Sequence, residues 1–138
     1  MMDLSLHLRI AGILLLLLAI LNLFLPRHFG WRDELQRLTL LTRQVFIVHC
    51  AFIVLSLVLM GLLSLCLAPQ LLEHTPLAQA ILFGLALFWT VRLIFQLFVY
   101  SPKLWRGDAF RTAMHILFTC VWTYFAGTFG IGWIQSLR

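Results

Sequence analysis

LAQAILFGLALFWTVRLIFQLFVY, residues 77–100, is a run of 24 residues containing one charge, Arg92. At a rise of about 1.5 Å per residue, a helix of that length exceeds the roughly 30 Å of hydrocarbon in a bilayer. Thr75-Pro76 ahead of it is an N-cap and first-turn pair, and Ser101-Pro102 behind it closes the helix. Working outward, three more apolar runs appear, at approximately residues 10–25, 45–67 and 110–134. None alternates with period two, which excludes a β-barrel, and helices alone satisfy their own backbone groups in hydrocarbon. The pattern predicts an all-α integral membrane protein, a four-transmembrane-helix bundle that forms one transmembrane domain over residues 1–138.

Composition agrees. Hydrophobic residues make up 62% of the chain and charged residues 11%, with mean hydropathy +1.00. Too few polar residues remain to cover a soluble protein. The formal charge of +5 does not indicate nucleic-acid binding, because the bases fall in the gaps between apolar runs.

The gaps give the orientation. Residues 26–44 and 101–109, with their edges, carry Arg27, Arg32, Arg37, Arg43, Lys103, Arg106 and Arg111, against Arg9 and Arg138 on the other side. The positive-inside bias places both basic loops in the cytoplasm and predicts an N-out, C-out protein; the compact form points to the bacterial cytoplasmic (inner) membrane. No small-x-small cleavage site follows the first run, so it is read as a retained span. Pro26 is expected to end that span. Leu35, Leu38, Leu41 and Val45 recur at helical spacing, and Asp33 stands one turn before Arg37. An interfacial helical segment is therefore expected over residues 33–44, running straight into the second span. Gly107-Asp108 forms a turn in which Asp108 caps the fourth span. Trp31 and Trp105 belong at headgroup level.

Ala80 with Gly84 and Ala126 with Gly130 are small-xxx-small pairs, expected to let the third and fourth spans approach closely. Cys50, Cys66 and Cys120 stand singly with no C-x-x-C spacing, and read as small apolar residues.

The informative feature is a set of polar residues at one depth. Arg92, Gln96 and Tyr100 follow one another at i, i+4 and i+8, with Trp89 three residues ahead of them. His49 and His115 each lie a few residues inside the cytoplasmic ends of two parallel spans, and Asn22 can join them from the first. No Asp or Glu occurs inside any of the four runs, so Arg92 lacks a protein counter-charge at its own depth. A guanidinium so placed favours an anion from outside: lipid phosphate, a carboxylate substrate or a cofactor propionate. The plainer alternative is that Arg92 snorkels to the headgroups while Gln96 and the histidines hydrogen-bond across helices.

Three functional readings follow. In the first, the chain is a binding or scaffolding subunit whose polar pocket, walled by Arg92, Gln96, Tyr100, His49 and His115, engages an anionic lipid or lipid-like ligand. Its partners are membrane lipids and either other membrane subunits or further copies of itself. In the second, His49 and His115 are axial ligands of a b-type haem in an electron-transfer subunit, with Arg92 on a propionate. In the third, the chain is a small four-span enzyme acting on a lipophilic substrate. Arg92, Gln96, Tyr100, Arg106 and Arg111 resemble the third and fourth spans of the glutathione-dependent membrane-associated eicosanoid and detoxification enzymes. The resemblance implies an N-out protein with a site on the inner side. The second-span pattern of that family, an acid and an asparagine beside arginine, is replaced here by Arg43, Gln44 and His49.

Other classes lack their essential groups. Proton-coupled multidrug exchangers need a membrane carboxylate, magnesium-dependent lipid transferases need paired carboxylates, and a hydrolytic Ser-His-acid triad needs its acid. A zinc site would have only two histidines and a cysteine, and no phosphate-cradling glycine loop occurs, so no metal site is expected.

Overall fold

The computed structural model describes residues 3–138. Six α-helices follow in order: α1 (Leu4–His28), α2 (Trp31–Gln36), α3 (Leu40–Cys66), α4 (Ala68–Leu71), α5 (Pro76–Phe98) and α6 (Ala109–Ser136), with a 3-10 turn at Pro102–Leu104 before α6. No strand occurs among the described residues. Helices α1, α3, α5 and α6, of 25, 27, 23 and 28 residues, are each long and apolar enough to cross a membrane. The chain divides into two compact units, one built on Ala68–Arg138 with the start of α1 up to Leu8, the other on Arg9–Leu67.

In the first unit α5 and α6 form an antiparallel hairpin. Phe83 near the start of α5 meets Trp133 near the end of α6, with ring centroids 5.0 Å apart. Trp89 stacks on Trp122 at 5.2 Å and touches Phe125 at 4.8 Å. Leu82, Leu85 and Trp89 from α5 and Trp122, Phe125 and Phe129 from α6 form the buried seam. The helix ends follow their expected chemistry. Thr75 Oγ1 accepts from Ala78 N and Asp108 Oδ1 from Arg111 N, each satisfying an otherwise orphaned donor of a first turn. At the far end of the hairpin, His74 Nδ1 and Gln79 Nε2 both donate to the Ser136 carbonyl, one of the acceptors that a helix C-terminus leaves open. His7 and Tyr124 share a further hydrogen bond, at 3.0 Å.

The close approach anticipated from Ala80/Gly84 and Ala126/Gly130 is not where the glycines act. A Cβ added at Gly84 or Gly130 would meet nothing within 4 Å, because these α-carbons face away from the α5–α6 seam. The tight crossing lies in the second unit. A Cβ at Gly12 would stand 2.7 Å from the Leu65 nitrogen and 2.8 Å from the Gly61 carbonyl oxygen. One at Gly61 would meet the Leu16 side chain at 2.9 Å and the Gly12 carbonyl oxygen at 3.1 Å. Only residues without a side chain let α1 and α3 touch backbone to backbone there.

Two boundaries also depart from expectation. Helix α1 continues through Pro26 to His28. A proline in the last turn removes a single bond, and Phe29 N to Leu25 O, at 3.1 Å, holds the turn after it. The segment before the second span does not run straight into it. α2 ends at Gln36, and α3 starts afresh behind Thr39, whose Oγ1 accepts from Thr42 N. The Thr39 hydroxyl competes for the donor that a continuous helix would have bonded to backbone, and the cap wins. Helix formation ceases at Arg37, so the Asp33–Arg37 pair one turn apart loses its support. Trp31 lies edge-on to Phe46 at 5.6 Å, which ties α2 to the first turns of α3.

Candidate functional site

The polar cluster sits where the end of α5 meets the start of α6, and Gln96 is its centre. That side chain is 6% exposed, and three others converge on it. Arg92 Nη1 and Trp122 Nε1 each donate to Gln96 Oε1 at 3.3 Å. The Gln96 amide nitrogen lies 2.8 Å from His115 Nδ1. A guanidinium and an indole can only donate, so the oxygen of the amide must face them and its NH2 must face the imidazole. His115 Nδ1 is therefore the acceptor, and the proton of the neutral ring resides on Nε2. One amide thus fixes the orientation of an arginine and the tautomer of a histidine.

Arg92 lies beside two aromatic rings. Its Cζ is 4.8 Å from the centre of the Trp122 ring and 5.8 Å from that of Tyr100. Cation–π contacts of this kind contribute about 0.5–2 kcal/mol, the upper end when desolvated. The side chain reaches toward the C-terminal end of α5, against the usual tilt of helix side chains toward the N-terminus. No carboxylate partners it among the described residues, and α5 and α6 contain no Asp or Glu. Asp108, at the start of α6, is engaged elsewhere, 3.3 Å from Arg111 Nε at the exposed surface. Trp122 is backed by Trp89, which is itself buried with its Nε1 unpartnered among the described residues.

His115 is held from its other side by Trp105, whose ring stacks on it at 3.9 Å with an interplanar angle of 11°. The loop is built for that contact. Ser101 caps the 3-10 turn, Thr112 Oγ1 donates to the Trp105 carbonyl at 2.8 Å, and Gly107 turns the chain at φ 86°. A left-handed φ of that size is open to glycine at little cost. Lys103, Arg106 and Arg111 are exposed at the same end of the hairpin.

Of the residues singled out from the sequence, Arg92, Gln96, Tyr100 and His115 are brought together. Tyr100 lies beyond the last turn of α5, yet its ring remains beside Arg92. His49 belongs to the other unit, on an exposed part of α3, where its Nδ1 donates to the Val45 carbonyl at 2.8 Å. Asn22 is turned to its own helix, donating to the Leu18 carbonyl. The sequence pattern does not single out Trp122, and it gives Trp105 a headgroup position without its histidine. The available signal was the indole N–H of Trp122, a donor that needs an acceptor when buried. Among the described residues no group of three or more His, Cys, Asp or Glu could hold a metal ion. Comparison with known protein families, curated proteins and solved structures finds no match for this chain.

Proposed function

We propose that the four long helices cross the bacterial cytoplasmic membrane with both termini outside, and that the protein is a binding or scaffolding subunit that retains an anionic lipid or lipid-like ligand at Arg92. The observation carrying this reading is a guanidinium in a membrane-length helix, beside Trp122 and Tyr100 and without a carboxylate partner among the described residues. A permanent charge in that setting needs an anion, and a headgroup phosphate of the inner leaflet is the abundant one. From Arg92 to the end of α5 is about 9 Å at helical rise, and the side chain already points that way, so a phosphate at the hydrocarbon boundary lies within its reach. Lys103, Arg106 and Arg111 add positive potential at the same end.

The haem reading has less support. It requires His115 to offer a ring nitrogen lone pair, and Gln96 occupies the one at Nδ1 while the other nitrogen bears the proton. The enzyme reading would rest on His115 and Tyr100, the proton-transfer groups of the cluster, and no observation favours it over the anion reading.

The test is the lipid that accompanies the protein through purification in a neutral detergent, identified by mass spectrometry. Wild-type protein should be enriched in anionic phospholipid over the host membrane, and Arg92→Leu should reduce that enrichment about tenfold or more, the loss of one charged hydrogen-bonded contact. An unchanged lipid complement in the variant refutes the proposal.

A further inference from the structure

The buried amide at the centre of the cluster does more than fill space. With Nδ1 satisfied by Gln96, the Nε2–H of His115 is a donor with no acceptor among the described residues, and Arg92 has only its Nη1 engaged. Two donors, tied to opposite ends of one amide, are left without a protein acceptor among the described residues, on side chains that are half-buried. Neither can rotate freely to find one. The imidazole is stacked on one face by Trp105, and the guanidinium lies over Trp122. Donors already held in place by one amide bind best to a ligand that offers acceptors to both, rather than one that only neutralises charge.

We propose that the Arg92 site recognises a phosphate oxyanion through two donors, the Arg92 guanidinium and His115 Nε2–H, and that Gln96 is the positioning residue that presents both. This rests on the anion reading above and adds to it the identity of the second contact. It also gives the site its selectivity. A ligand with one acceptor, or a cation, leaves the imidazole N–H unmet, whereas a phosphate has several oxygens to share. Replacing Gln96 with glutamate supplies a carboxylate of the same shape, which pairs with Arg92 internally and competes with the ligand. Gln96→Glu should therefore lose the ligand even as it compensates the arginine's charge. A cluster serving only as glue between helices would tolerate that change or gain from it.

The experiment uses the full chain, delipidated in neutral detergent and labelled with 15N-histidine. It is titrated with short-chain phosphatidylglycerol and, separately, with inorganic phosphate. In the free protein the His115 signals, assigned by their loss in His115→Phe, should show a protonated Nε2 and an unprotonated Nδ1. The Nε2–H signal should move on titration. Response to inorganic phosphate alone, with the same affinity, supports the two donors and makes the ligand a free oxyanion; response to the lipid alone makes it a headgroup. His115→Phe keeps an aromatic ring for Trp105 but has no donor, and should weaken binding about tenfold, with His115→Gln restoring part of it through its amide N–H. A proton found on Nδ1, or His115→Phe binding as wild type while Arg92→Leu does not, overturns this inference and leaves the Arg92 proposal standing. Unchanged binding in both variants defeats the two together.

Discussion

Replacing Gly12 with alanine puts a methyl group where α1 and α3 touch through their backbones. The added carbon would lie 2.7 Å from the Leu65 nitrogen, and ordinary contact begins at 3.4 Å, so the helices must part by about 0.7 Å. Neither the Leu65 nitrogen nor the Gly61 oxygen, at 2.8 Å, can swing aside as a side-chain tip could. A gap of that size forfeits a quarter to a half of each pair's dispersion energy, itself about 0.1–0.2 kcal/mol. Over roughly 20 atom pairs along the crossing this amounts to about 1 kcal/mol, and backbone strain raises the expected cost to about 1–3 kcal/mol. The structure ranks the other glycines on the same scale. Gly61→Ala should cost less than Gly12→Ala, since its nearest neighbour is the Leu16 side chain. Gly84→Ala and Gly130→Ala, with nothing within 4 Å, should fall within about 0.5 kcal/mol of wild type. Unfolding in mixed micelles, followed by tryptophan fluorescence, measures the series. A Gly12→Ala protein as stable as Gly84→Ala would refute the crossing.

Thr39→Ala removes the acceptor for the Thr42 amide and should cost about 0.5–2 kcal/mol, seen as faster hydrogen exchange in the first turn of α3 with the later turns unchanged. The orientation proposed for the membrane is checked by single cysteines in a background without the native three. A membrane-impermeant maleimide applied to intact cells or spheroplasts should label His74→Cys, and should reach Gly107→Cys only after the membrane is permeabilised.

Much of the helical layout was legible because hydrocarbon imposes a length, and Thr75, Pro76, Gly107 and Asp108 punctuate the chain where their chemistry says they should. The apolar runs underestimated the helices, since hydropathy marks residues suited to lipid while backbone bonding continues into polar flanks, as in α1 around His7 and Arg9. Glycine spacing misled. Gly84 and Gly130 fit a packing motif but face open space, whereas Gly12 and Gly61 lie in different helices, and no single-helix motif connects them. In the candidate site, helical periodicity could align Arg92, Gln96 and Tyr100. It could not supply the register between α5 and α6 that sets Gln96 against His115 and Trp122, because that register is decided by the Trp89–Trp122–Phe125 seam. The stacking of Trp105 on His115 depends on the path of an irregular loop, which no periodicity describes.

The most direct test of the central claim is a distance between Arg92 and lipid phosphorus. Protein labelled with 13C at the arginine Cζ, reconstituted in phosphatidylglycerol bilayers, can be examined by 13C–31P dipolar recoupling in solid-state NMR. The wild-type spectrum should contain a guanidinium carbon strongly dephased by phosphorus, and that component should vanish in Arg92→Gln. A dephasing pattern identical in the two proteins would mean that Arg92 holds no phosphate and that its cluster with Gln96 and His115 only joins two helices.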